Sequence, residues 1–138
     1  MKNKKTRLLL IVILLLSLFA AVALKTFMGP CVHEDGSFGS CHYAGEALFG
    51  LFLLMAAESL LGLLIEGALQ GICLSLLAQA AFGFFLPGPL IRLCSMATMR
   101  CQAVMKPGAW VFLAVIGILS LVGFLLTRNA GNKERQGK

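Results

Sequence analysis

The feature that most constrains this chain is a series of long apolar runs without charge. The first, residues 8–24, reads LLLIVILLLSLFAAVAL. In a helix that rises about 1.5 Å per residue, this run extended to residue 28 crosses roughly 30 Å of hydrocarbon. Charged residues make up 13% of the chain, about half the share of a globular protein. The sequence therefore predicts an all-α membrane protein.

Further apolar runs complete the predicted topology. They cover residues 44–65, 69–91 and 108–126, and the sequence PGP at 87–89 bends or ends the second of these. The polar stretch at 29–42 and a tight EGALQG turn have the composition of connections between helices. We therefore predict a bundle of four transmembrane helices, built from two helical hairpins side by side.

Positive charge predicts the orientation of the bundle. The end segments MKNKKTR and RNAGNKERQGK are both basic and directly flank apolar runs, so the positive-inside rule places both termini in the cytoplasm. We predict a basic cytoplasmic N-terminus at 1–7, a four-helix transmembrane domain at 8–127 and a basic cytoplasmic tail at 128–138. The predicted location is the plasma (inner) membrane, with loops 29–43 and 92–107 facing outward.

Two other interpretations of the basic N-terminal segment and of the net charge of +6 are less favoured. The first run could be a cleaved signal peptide, since it follows a basic segment and AVA ends at Ala23. It is long for a signal peptide, and the first hairpin requires it. Nucleic-acid binding is not predicted, because no basic patch has interleaved aromatic residues. The lipid bilayer is the partner that the composition predicts.

Most of the cysteines fall in the two predicted outer loops. Thiols outside the plasma membrane oxidise readily, so one interpretation is that disulfides staple these loops. Four cysteines allow three connectivities, and bridges within each loop are the simplest because each closes a short segment. The disulfide candidates are Cys31, Cys41, Cys94 and Cys101.

Two chemical alternatives use the same loops. Thiol–disulfide exchange with a quinone as electron acceptor fits the layout, but the chain has no C-x-x-C pair in these loops. A soft-metal site is the other alternative, because thiolate, thioether and imidazole groups bind copper and zinc. No spacing matches a known zinc signature, and we predict no cofactor. The metal-ligand candidates beside the cysteines are His33, His42, Met96 and Met99.

One ionisable residue, Glu58, lies deep in a predicted span. A charge at that depth costs at least about 2.5 kcal/mol on insertion scales. If the hairpin turns near residues 67–69, Gln79 lies at the same depth on the next helix. We therefore predict a neutral Glu58 that is hydrogen-bonded to Gln79, either as a structural contact or as part of a proton or substrate relay.

A second acidic residue, Glu46, lies just below the first outer loop. We expect it to pair with a base from the other outer segment, and such a pair at a wet interface contributes little to stability. The candidate bases are Arg92, Arg100 and Lys106.

The segments CHYAGEALFG and CSMATMRCQAVMKPG resemble a family of small bacterial four-helix membrane proteins that is described only as a domain of unknown function. The resemblance spans residues 8–126, with Gln102 where the family pattern has histidine. It implies an integral membrane protein and a companion role beside ABC-type permeases. The residues that carry the resemblance are Cys41, His42, Cys94, Met99, Cys101 and Pro107.

The sequence contains no nucleotide-binding loop, catalytic triad or HExxH motif. We therefore predict a non-enzymatic accessory or scaffold subunit of a membrane complex, such as an ABC-type exporter, with disulfide-stapled outer loops. Four short helices cannot enclose a transport path alone, so activity requires a permease-like partner or self-association. The alternative is a membrane protein that handles thiol redox chemistry or a soft metal.

Overall fold

The computed structural model describes the backbone of residues 2–28, 40–93 and 101–136. Side chains are described within narrower limits, at residues 4–28, 42–65, 67–93 and 102–132. The described chain is almost entirely helical. Its elements are α1 (Lys2–Thr26), α2 (Ser40–Leu64), α3 (Leu69–Phe85) and α4 (Lys106–Gln136), with a 3-10 turn at Glu66–Ala68 and a π-helical turn at Cys101–Met105.

Three of these helices contain stretches that are long and apolar enough to cross a membrane: Lys4–Thr26, His42–Leu64 and Gln102–Asn132. Helix α3 is equally apolar but has 17 residues, or about 26 Å of helix, which is near the lower limit for crossing. All four helices expose large apolar side chains on their outer faces, as helices in lipid do. The predicted all-α membrane bundle is confirmed.

The helices pair as the sequence predicts. Helix α1 packs mainly against α2, and α3 packs mainly against α4. Smaller contacts between α1 and α4 and between α2 and α3 close the bundle. The fold is therefore two helical hairpins side by side, and the seam between α2 and α3 is the least extensive of these four helix contacts.

Large apolar side chains from every helix fill the interior of the bundle. Two of the buried serines there bond within their own helices: Ser59 donates to the carbonyl of Met55 at 2.8 Å, and Ser120 donates to that of Ile116 at 2.7 Å. Because these bonds stay within one helix, they leave the space between the helices to apolar packing. The largest fully buried side chains include Leu10, Ile13, Phe52, Leu76 and Leu113.

Small residues bring α3 and α4 close together along their length. A Cβ atom on Gly123 would lie 3.1 Å from Sγ of Cys73, and one on Gly117 would lie 3.5 Å from Cβ of Ala80. At Gly83 a Cβ atom would lie only 2.7 Å from a methyl group of Leu113. Such close approach is how helices associate in lipid, where packing replaces the hydrophobic effect.

Helix α3 ends at Phe85, so the sequence PGP ends the third span rather than bending it. Pro87 has no N–H to continue the helix. Gly88 has φ of 129°, which a glycine adopts without strain. The turn is closed by hydrogen bonds from the N–H of Gly88 to the carbonyl of Ile91 (3.1 Å) and from the N–H of Ile91 to the carbonyl of Leu86 (3.2 Å).

Both basic ends of the described chain are helical. Helix α1 begins at Lys2, and α4 continues through the basic segment to Gln136. With 31 residues, α4 is about 46 Å long and exceeds the hydrocarbon thickness of roughly 30 Å. The two ends lie close together, because a Cβ atom on Gly123 would be 3.4 Å from a methyl group of Leu9.

Candidate functional site

A polar cluster lies in the seam between α2 and α3. It consists of Glu58 on α2 and of Ser75 and Gln79 on α3. Nε2 of Gln79 donates to Oε1 of Glu58 at 2.5 Å, and Oγ of Ser75 donates to the same oxygen at 3.2 Å. Nε2 of Gln79 also donates to Oγ of Ser75 at 3.4 Å. The structure therefore brings together the two residues that the hairpin register places at one depth.

Ser75 is the member of this cluster that the sequence analysis missed. It lies one helical turn before Gln79, and residues four apart share a face of a helix. That spacing, together with the position of Gln79 opposite Glu58, was the available signal. Serine is common in membrane helices because its hydroxyl can bond to its own backbone, so its presence alone indicates no site.

The cluster leaves two buried oxygens without a hydrogen-bond partner among the described residues, Oε2 of Glu58 and Oε1 of Gln79. Leaving a buried polar atom unsatisfied costs about 1–3 kcal/mol. Neither α2 nor α3 contains a lysine or an arginine, so the two helices that form the seam supply no strong base to Glu58. The pattern of hydrogen bonds is therefore incomplete as long as Glu58 is treated as a carboxylate.

A second acidic site lies at the other end of α2. Glu46 forms an ion pair and a hydrogen bond with Lys25 at the end of α1. The side chains are 45% and 47% exposed, and Nζ of Lys25 also lies 4.7 Å from the ring centroid of Phe49. Among the described residues Glu46 therefore pairs with Lys25 and not with Arg92 or Lys106, so the expectation is wrong for these two bases, while Arg100 lies outside the described residues. Helix α1 packs directly on α2, which brings Lys25 to Glu46.

Aromatic residues at this same end of the bundle surround the start of α4. Nζ of Lys106 lies 4.9 Å from the ring centroid of Trp110, within the range of a cation–π contact. The ring of Trp110 in turn lies 6.2 Å from that of Phe84 on α3. This arrangement is typical of side chains at the boundary between hydrocarbon and headgroups.

The predicted outer-loop chemistry falls largely outside the described residues. Cys31, His33, Cys94, Met96 and Met99 lie outside them. The backbones of Cys41 and Cys101 are described, at the start of α2 and of the π-helical turn, but their side chains are not. The disulfide pairing and the metal-ligand set therefore stay predictions.

Within the described residues, the remaining metal and thiol candidates form no cluster. No group of three or more His, Cys, Asp or Glu side chains in this part of the chain could hold a metal ion. The ring of His42 lies 6.0 Å from that of Tyr43. The thiol of Cys73 is buried against the α3–α4 interface, where it packs as a small apolar side chain.

Comparison with known proteins gives one match. The family model described as Domain of unknown function (DUF4418) matches residues 12–126. No curated protein and no solved structure matches the chain. The resemblance to an uncharacterised family is therefore confirmed, and the match assigns no activity.

Proposed function

The chain belongs to the family described as Domain of unknown function (DUF4418), and we propose that it is a non-enzymatic accessory or scaffold subunit of a membrane complex. Its partner is a second membrane protein, such as an ABC-type permease, or another copy of the chain. The choice of a permease as the partner rests on the family resemblance noted from the sequence. The need for some partner rests on the way the interior of the bundle is packed.

The observation that carries this proposal is that apolar side chains fill the centre of the bundle. Phe52, Leu76 and Leu113 each have no exposed surface, and the buried Ser59 and Ser120 bond to their own helices. A transport path across a membrane requires polar or ionisable groups facing a water-filled cavity. A single copy of this bundle provides a packed core in that place, which fits a protein that supports the activity of another.

Basic residues support an orientation with both termini in the cytoplasm of the plasma (inner) membrane. The first turns of α1 carry Lys4, Lys5 and Arg7, and α4 carries Arg128 after its apolar part. Both basic ends lie at one end of the bundle, since Leu9 packs against Gly123. The positive-inside rule then assigns that end to the cytoplasm.

Site-specific photo-crosslinking in native membranes tests the accessory role. A photoreactive residue at Leu54, which is 51% exposed, samples what lies outside the bundle, and the same residue at the fully buried Phe52 is the matched control. Extending the scan to exposed positions on the other helices maps the contact. We expect one protein species to be captured from one face only, with none captured from position 52. If every outward position yields lipid adducts alone, the accessory role is contradicted.

A second candidate is thiol chemistry at the outer end, as stapling disulfides, redox exchange or soft-metal binding. It is favoured by the backbone positions of Cys41, in the first turn of α2, and of Cys101, which begins the π-helical turn before α4. The starts of α2 and α4 both lie near the end of α1, where Lys25 pairs with Glu46 and the side chain of Met28 contacts Gly108. The mass gained on alkylation, with and without reductant, distinguishes these states. Cysteines in stable disulfides are alkylated, and so add mass to the protein, only after reduction. Free thiols are alkylated without reductant.

A further inference from the structure

We propose that Glu58 is a proton-binding site within the membrane-spanning part of the protein. The proton resides on Oε2, and this O–H donates to Oε1 of Gln79, so that a carboxylic acid and an amide form a closed pair across α2 and α3. This inference does not depend on the accessory role, because it rests only on the hydrogen bonds of the polar cluster.

The side chains of Gln79 and Ser75 bring three hydrogen-bond donors to the cluster, and all three are engaged. The amide of Gln79 has two N–H donors, and the hydroxyl of Ser75 has one O–H. The amide nitrogen bonds to Glu58 and Ser75, and the hydroxyl bonds to Glu58. Every donor of the cluster is then in use, while Oε2 of Glu58 and Oε1 of Gln79 remain buried without a partner.

The missing donor is a proton on the carboxyl group. Oε2 of Glu58 and Oε1 of Gln79 belong to two groups that one hydrogen bond already joins, and a proton shared between these oxygens satisfies both. Of the two groups only the carboxyl can carry that proton, since an amide oxygen is an acceptor only. Because Oε1 of Glu58 already accepts bonds from Gln79 and Ser75, it is the carbonyl oxygen of the acid and the proton belongs on Oε2.

The opposite orientation of the Gln79 amide also requires a protonated Glu58, with the proton on Oε1 in place of Oε2. Its oxygen and nitrogen differ only in which hydrogen bonds they can make. With the two exchanged, the amide oxygen would lie 2.5 Å from Oε1 of Glu58. Two oxygens at that distance also require a proton between them. In both arrangements Glu58 is a neutral acid.

Charge and ligand number favour a proton over any other cation. An ionised carboxylate in a membrane helix requires a partner of opposite charge, and neither α2 nor α3 carries a lysine or an arginine. Ca²⁺ and Mg²⁺ bind six or more oxygen ligands. The cluster offers only two unmatched oxygens, which is the number that one shared proton satisfies.

Infrared spectroscopy of the full-length protein in lipid tests the proton directly. A protonated carboxylic acid gives a carbonyl stretch that a carboxylate lacks. We expect Glu58→Gln to remove this band, and the matched variant Glu46→Gln to leave it and to remove carboxylate intensity instead. The new amide at position 58 can still donate to Gln79, so the Glu58→Gln variant is expected to fold. If Glu58→Gln removes carboxylate intensity and leaves the acid band, the proposal is overturned.

A second variant tests the pairing with Gln79. Gln79→Leu removes both the donor to the acid carbonyl and the acceptor for its O–H, so the acid band is expected to shift to higher frequency. An unmoved band in this variant would overturn the acid–amide pair. A carboxylate band assigned to Glu58 that moves when Na⁺, Mg²⁺ or Ca²⁺ is added would instead identify a metal-cation site, and would equally overturn the proposal.

Discussion

The two glutamates of α2 show how depth determines the partners of the same side chain. They are separated by about 18 Å of helix. Glu46 is half exposed and pairs with Lys25, whereas Glu58 lies in the α2–α3 seam and accepts hydrogen bonds from the uncharged side chains of Gln79 and Ser75. At the aqueous end a cation and solvent stabilise the charge. Within the span, hydrogen bonds to neutral groups replace them.

The contrast extends to the helix contacts that hold each glutamate. Glu46 and Lys25 join α1 to α2, which already pack extensively, so the ion pair is an addition to an existing interface. Glu58, Ser75 and Gln79 join α2 to α3, whose contact is much smaller. We infer that polar bonds account for a larger share of the stability of the α2–α3 seam than of the α1–α2 interface.

The largest expected difference between the two positions comes from charge reversal. Glu58→Lys places an ammonium in the span, at a cost of about 2.5–3.5 kcal/mol on insertion scales. Glu46→Lys places the same group at the partly exposed end, where solvent screens the repulsion from Lys25 and the loss is expected to be much smaller. The fraction of each variant that is folded and membrane-integrated measures the difference. Equal losses at both positions would show that depth does not separate the two glutamates.

The next largest effect is expected from packing. The comparison is between a buried and an exposed glycine, as between the buried and the exposed glutamate. Gly83→Ala adds a Cβ atom 2.7 Å from Leu113 and 2.8 Å from Leu51, so overpacking is expected to cost about 1–3 kcal/mol. Gly50→Ala on the outer face of α2 meets nothing within 4 Å and is expected to be neutral or slightly stabilising. Reversible unfolding in mixed micelles measures both. A destabilised Gly50→Ala variant beside an unaffected Gly83→Ala variant would contradict the described packing.

A double-mutant cycle measures the coupling free energy between Glu58 and Gln79 in the polar cluster. For Glu58→Ala and Gln79→Ala we expect a coupling free energy of about 0.6 kcal/mol and at most about 1.7 kcal/mol, the range found for hydrogen bonds between membrane helices. Glu58→Gln retains a donor for Gln79 and is expected to change the unfolding free energy by less than about 0.5 kcal/mol. Additive effects of the two alanine substitutions would show that the side chains do not interact.

The ion pair between Glu46 and Lys25 is expected to give the smallest effect. Glu46→Gln removes the charge that Lys25 faces, and solvent screens an exposed pair so strongly that its net contribution to stability is small. The loss is expected to shrink as ionic strength rises, because salt screens exposed charges. The unfolding free energy at low and high salt measures it. A loss as large as that of the Gly83→Ala variant, unchanged by salt, would mean that Glu46 is buried.

The helices and the hydrogen bond between Glu58 and Gln79 could be predicted from the sequence because both depend on local features. A tight turn at Glu66–Ala68 fixes which residues of α2 and α3 face each other, so Gln79 could be placed opposite Glu58. The partner of Glu46 could not be chosen in the same way. It depends on which helices pack together most closely, and several bases near the outer end had compatible positions in the sequence.

Other features required three-dimensional geometry that the sequence does not specify. The PGP sequence is compatible with a helix that bends or with one that ends. The structure shows that it ends, because Gly88 has a positive φ and hydrogen bonds close a turn there. The unmatched oxygens of Glu58 and Gln79 appear only when every hydrogen bond of the cluster is counted. The pairing of the outer cysteines depends on loop geometry, so four cysteines leave three connectivities open.

The different environments proposed for Glu46 and Glu58 depend on α2 and α3 crossing the bilayer in opposite directions. Helix α3 is the critical element, because it is the shortest of the four helices. Single cysteines at Gly67 and Leu90, both exposed, mark its two ends in a chain whose native cysteines are serine. A thiol reagent that cannot pass the membrane is predicted to label position 90 from outside intact cells and position 67 only after the membrane is opened. Labelling of both positions from the same side would contradict the crossing of α3 and the depth assigned to Glu58.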